Sequence, residues 1–225
     1  MADSQRHDGP SLSLLAVTCI ALLFGGLTIG VALGGIMPLP YGPVGPIQHY
    51  VQTQSLAVRI IAVAVFGSSV LLAVYAAAVS ARLRWLGVTG AGPTIALTGG
   101  ILAAGSLGLT GLLGWTLSRP EITGDTTLVR ALYLLTFLVG GVAHVVALGV
   151  LIAGIATSGL ALGLLPRAVA WVGIAIAALC ELTMLVLAWQ PLGPALPVAR
   201  VAALAWLLVA SARLPTRRND STAAT

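Results

Sequence analysis

Lysine is absent from this chain of 225 residues, only 8% of its side chains are charged, and there are two cysteines. An ordinary soluble domain carries roughly a quarter charged residues, so there is too little charge here to coat a surface that faces water. The eleven basic residues are all arginine and give a net charge of +5 and a pI near 10.0. A nucleic-acid surface needs such residues clustered on one accessible face. Here they stand singly at the ends of apolar runs, which excludes that reading. Cys19 and Cys180 both lie in apolar segments and form no CxxC or Cys/His group, so neither a structural disulfide nor a zinc site is expected. There is no HExxH, no phosphate-cradling loop and no paired carboxylate, and Ser68 and Ser69 in FGSSV do not make a nucleophile elbow. No cofactor or metal is expected.

What is present is apolar: 58% of the residues are hydrophobic, with a mean hydropathy of +1.04. A water-soluble fold of that composition would expose far more apolar surface than monomers tolerate. The expected fold is all-α, a polytopic bundle of about six spans. The spans fall at 11–37, 56–80, 93–117, 128–157, 167–189 and 197–214, between tails at 1–10 and 215–225. The first is too long and uncharged for a cleaved signal. MPLPYGPVGPIQHYVQTQ, with four prolines and no Asp, Glu, Arg or Lys, reads as an ordered or polyproline-like surface loop rather than helix. Asp125, Thr126 and Thr127 read as capping residues for the fourth span, Pro93 as a first-turn residue of the third, and LALGLL as a short connection lying against the bilayer.

Arginine is held back on the cytoplasmic side, which orients the bundle with both termini inside a plasma membrane. Arg6, Arg82, Arg84, Arg167, Arg213, Arg217 and Arg218 then lie inside, and Arg59, Arg119, Arg130 and Arg200 outside or within spans. Tyr50, Trp115, Tyr133 and Trp189 would form the outer aromatic belt, and Trp85 and Trp171 the inner one.

Helices in lipid associate through close backbone approach and interhelical hydrogen bonds. Gly26, Gly30 and Gly34 recur every four residues and form a groove for another helix, either within the chain or on a partner subunit. Gly105, Gly108, Gly111 and Gly114 line the third span at a spacing of three. LTGG at Leu97 and LVGG at Leu138 suggest related halves, which with three spans each would be inverted.

An ionisable side chain at the centre of a span costs about 2.5–3.5 kcal/mol on insertion scales, so each one needs a reason. Glu181 is the only acid within a span, His144 sits near the middle of the fourth, and Arg59 and Arg200 sit about a turn below the outer surface. Glu181 and Arg200 flank one short turn on antiparallel neighbours and are expected to pair. His144 has no second histidine in the membrane with which to hold a haem. Arg59 would reach to the headgroups.

From HVVALGVLIAGIATSGLALGLLPRAVAWVGIAIAALCEL to SARLP, the chain resembles a group of six-helix bacterial membrane proteins to which no activity is assigned. Leu165, Pro166, Arg167, Glu181, Trp206, Leu214 and Pro215 carry the likeness, over about the last third of the sequence. It implies a bacterial plasma membrane and no particular chemistry. The functional expectation is a protein that binds or transports a small molecule, ion or lipid-like compound at an outward-facing site near Glu181, His144, Arg59 and Arg200. The alternative is an accessory subunit whose first helix docks on a membrane partner, or on a second copy, through Gly26, Gly30 and Gly34. An enzyme would need Ser68 or Ser69 within reach of His144.

Overall fold

The computed structural model describes residues 10–215, and among these it contains helices and turns but no strand. The tail residues outside that range, with Arg6, His7, Arg217 and Arg218, lie outside the described residues. Six apolar segments are long enough to cross a bilayer, as the hydropathy requires. They comprise α1 (Leu12–Gly34), α3 (Ser55–Trp85) and α4 (Gly92–Leu117). The fourth is built from α6 (Thr126–Leu138), a π turn (Val139–Ala143) and α7 (His144–Ala161). The last two are α8 (Arg167–Leu182), drawn out by a 3₁₀ turn (Thr183–Leu187), and α9 (Ala195–Arg213). Two short helices, α2 (Val44–Thr53) and α5 (Pro120–Thr123), lie between spans.

Local chemistry fixes the ends. The Asp125 carboxylate accepts from the N–H groups of Thr127 and Leu128 at 2.8 and 3.0 Å, satisfying donors that a helix start leaves free. Pro93 occupies the first turn of α4. At the end of α3, Gly87 has φ 95°, a left-handed conformation that suits glycine, and Val88 N–H then returns to the Leu83 carbonyl at 3.1 Å.

The Pro-rich loop is a correction: its second half is helical. Pro43 stands at the cap of α2 and Pro46 in its first turn, where a missing N–H breaks no helical bond. The LALGLL connection is divided: Ala161, Leu162 and Gly163 are exposed, whereas Leu165 tucks into the core at 3% exposure. LTGG lies in regular α-helix and LVGG runs into the π turn, so the two motifs do not adopt equivalent structures.

Each span packs on the next in sequence, and α9 closes the ring more sparsely against α8 and α1. Small residues set the spacing. The Gly26 and Gly30 faces abut Ala64 and Ile61 of α3, and Gly34 abuts Ala57 and Tyr50, so the first-helix groove is filled within the chain. Gly108, Gly111 and Gly114 face α3, whereas Gly105 faces open space. The closest approach is α4 on α7, where a methyl at Gly154 would meet the Gly92 carbonyl at 2.7 Å and Ala96 Cα at 2.8 Å.

Hydrogen bonds cross these seams. Ser68 Oγ donates to the Cys19 carbonyl at 3.0 Å, Ser80 Oγ to the Pro93 carbonyl at 2.8 Å, and Trp206 Nε1 to the Val169 carbonyl at 2.8 Å. Ser211 Oγ donates to the Leu207 carbonyl and accepts from Tyr75 at 2.9 Å. Outward, Leu14, Val63, Leu102, Trp171, Leu187 and Val198 are each more than half exposed, the surface lipid would cover. Arg59, exposed, and Arg82 are 23 residues apart on α3, about 35 Å at 1.5 Å per residue. That is comparable with the roughly 30 Å of bilayer hydrocarbon.

Candidate functional site

A cavity of about 260 Å³ lies inside the bundle at the end that carries α2. Its walls come from α1, α3, α4, α6, the π turn and α9, and α8 contributes nothing. Small residues make the space: Ala62 on α3, Gly114 on α4, and Gly140 and Gly141 in the π turn. Met37 and Val51 close it from above. The least buried lining residues include Pro197 on α9, Leu27 on α1 and Met37 after it. Ile61, Thr110, Gly114, Thr136 and Phe137, on α3, α4 and α6, are partly buried as well.

The cover is tied down by polar groups. Gln48 and Gln52 of α2 both donate to the Thr123 carbonyl of α5, at 3.0 and 2.8 Å, and Thr126 donates to Gln48 Oε1 at 2.8 Å. Arg130 Nη1 donates to the Gly42 carbonyl at 2.6 Å, so this arginine holds the loop before α2. Tyr133 and Tyr50 do not join the aromatic belt assigned to them. They are buried and donate to the Pro38 and Gly35 carbonyls at 2.7 and 3.3 Å. Burial raises the Tyr50 phenol above its ordinary pKa, which keeps it a donor. Trp115 and Trp189 do face outward. Beside Trp115, Arg119 stacks over the ring at 5.3 Å and pairs with Glu121 at 3.3 Å. Glu121's own backbone N–H, and then Arg119, hold that carboxyl below its ordinary pKa. The pair is exposed and adds little stability.

Inside the cavity the polar groups are few and mostly engaged. Thr110 and Thr136 donate back to the Ser106 and Leu132 carbonyls at 2.8 and 2.7 Å, and Tyr133 is held by Pro38. Arg200 differs. It enters from the second turn of α9, and its Nη2 donates to the Gly140 carbonyl, in the π turn. An i→i+5 turn displaces backbone groups from the regular ladder, and here one of the carbonyls serves a cation. Arg200 Nε is enclosed without a partner. Nη1 also has no hydrogen-bond partner among the described residues and is not enclosed, and Arg200 is among the residues that line the cavity.

Of the four ionisable residues singled out from the sequence, His144 and Arg200 lie near enough to interact electrostatically, whereas Glu181 and Arg59 stand elsewhere. Only Arg200 lines the cavity. The expected Glu181–Arg200 pair is a correction: the one ion pair among the described residues is Arg119–Glu121. The Glu181 carboxylate lies over α7, 2.9 Å from where a methyl on Gly149 would sit. His144, one turn beyond Gly140, is wholly buried, with Nδ1 2.9 Å from the Ala103 carbonyl. Since a carbonyl only accepts, Nδ1 carries the proton there, and Nε2 has no partner. Arg59 faces outward from α3. Ser68 is bonded to Cys19 and Ser69 to the Phe66 carbonyl, so neither serine is placed against His144. At the opposite end Arg82, assigned from the sequence to the cytoplasmic side, is buried at 5% exposure.

Sequence reasoning expected an outward-facing site near Arg200 but missed the apolar walls of the cavity, the π turn and the helical form of the cover. One signal was present: a Gly-Gly pair in mid-span together with an arginine early in the last span. No family model, curated protein or solved structure matches the chain.

Proposed function

We propose that this integral membrane protein binds one small apolar or amphipathic molecule, taken from the bilayer through the seam between α1 and α9 into the cavity beneath α2. The cavity carries the reading. Its lining is apolar apart from three engaged hydroxyls and one arginine, it is covered at the α2 end, and its one exposed lining residue, Pro197, stands on α9, which packs sparsely against α1. Apolar clefts with a few placed polar groups are the usual form of a small-molecule site. The arginine bias of the sequence, with Arg6, Arg82, Arg84, Arg167, Arg213, Arg217 and Arg218 assigned inside against Arg59, Arg119, Arg130 and Arg200, supports an outer-half position for the cavity in a plasma membrane. The glycine groove of α1 is already filled by α3, which favours this reading over an accessory role through that face.

The test is photocrosslinking of dodecanoate carrying a diazirine at its tail end, with the protein in phosphatidylcholine nanodiscs. Crosslinks are expected on the lining segments of α1, α3 and α4. They should be lost in Ala62→Trp, which fills the cavity, and kept in Val63→Trp, which points to lipid. Equal labelling of the two variants would overturn the reading.

A further inference from the structure

We propose that the cavity selects a monoanionic, single-chain amphiphile, with the acid group against Arg200 and the tail against the apolar wall; this deepens the reading above and rests on it. The first observation is a charge without a counter-charge. Among the described residues Arg200 has no ion-pair partner: Glu121 and Asp125 sit at the surface on α5 and at the cap of α6, and Glu181 lies over α7. A cation in a low-dielectric site is stabilised chiefly by an opposite charge and by hydrogen bonds. The protein supplies one hydrogen bond, from the Gly140 carbonyl.

The second observation is direction. Arg200 is partly buried and lines the cavity, with Nη2 held by the π turn and Nη1 accessible and without a partner among the described residues. A guanidinium edge so held is a ready donor to an anionic oxygen. The third is count. Thr110, Thr136 and Tyr133 already donate within the protein, so one cation is the only group available to an acid. A carboxylate leaves that pair neutral. A phosphate monoester, carrying about −1.5 to −2 at neutral pH, would leave excess negative charge in an apolar chamber.

The experiment compares three probes with the same tail, dodecanoate, dodecyl phosphate and 1-dodecanol, by equilibrium dialysis against the full chain in phosphatidylcholine nanodiscs at pH 8, with empty discs subtracted. Wild type should bind dodecanoate saturably and at least tenfold more tightly than dodecanol, with dodecyl phosphate between them. Arg200→Gln should bring the three together, and Arg200→Lys should restore part of the preference for the acid. Because the headgroup comparison is made on wild type, it does not depend on the variants folding. Equal affinity for dodecanol and dodecanoate overturns the anion selectivity and leaves the cavity reading standing. Tighter binding of dodecyl phosphate than of dodecanoate overturns the single-charge argument. No saturable binding of any probe overturns both.

Discussion

A single methyl separates tolerated from untolerated change at several glycines, because backbone, which cannot move aside as a long side chain can, lies opposite some of them. Gly154 faces the Gly92 carbonyl and Ala96 Cα across the α4–α7 seam, whereas Gly105 has nothing within 4 Å. Gly154→Ala should therefore destabilise the bundle by about 1–3 kcal/mol, the ordinary cost of overpacking, and Gly105→Ala should not. Thermal unfolding of both variants in the same detergent makes the comparison, and equal midpoints would contradict it. The same scale shows where sequence reading stops. Hydropathy and a 1.5 Å rise per residue give the depth of a side chain in the membrane, which was enough to single out Arg200 and His144. They do not give rotation about the helix axis. Glu181 and Arg200 flank one turn, yet α8 turns the carboxylate onto Gly149 while α9 turns the guanidinium onto Gly140.

At the scale of elements, α2 is the informative helix. Four prolines in its neighbourhood argued for an open loop, but a proline at a cap or in a first turn is compatible with helix, and the apolar side chains of Ile47 and Val51 give α2 a face to bury. Its attachment is polar and local: Gln48 and Gln52 on the Thr123 carbonyl, with Thr126 on Gln48. Replacing both glutamines by alanine should leave the six spans folded and raise amide hydrogen exchange across 44–53 well above wild type, with α3 and α4 unchanged. Unaltered protection of α2 would show that its apolar face alone holds it. The π turn was not legible at all, since nothing in VGGVA distinguishes an extra residue in a turn from two small packing residues. One of its carbonyls, that of Gly140, accepts from Arg200, 60 residues away in sequence.

For the molecule as a whole, composition settled most: six apolar helices follow from the scarcity of charge, and all six begin within two residues of their expected positions. The interior did not follow, because a cavity is a shortage of side-chain volume summed over five spans, and no one segment carries its signature. What the cavity is filled with is therefore the central question. A nitroxide attached at Thr110→Cys, with Cys19 and Cys180 replaced by alanine, reports on it directly through collisions with oxygen, which partitions into lipid, and with a water-soluble nickel chelate. A cavity open to the bilayer predicts strong oxygen collisions and weak nickel collisions in nanodiscs. Strong nickel collisions would reveal a water-filled chamber, and weak collisions with both would reveal a sealed interior; either result contradicts a site that draws its ligand from lipid.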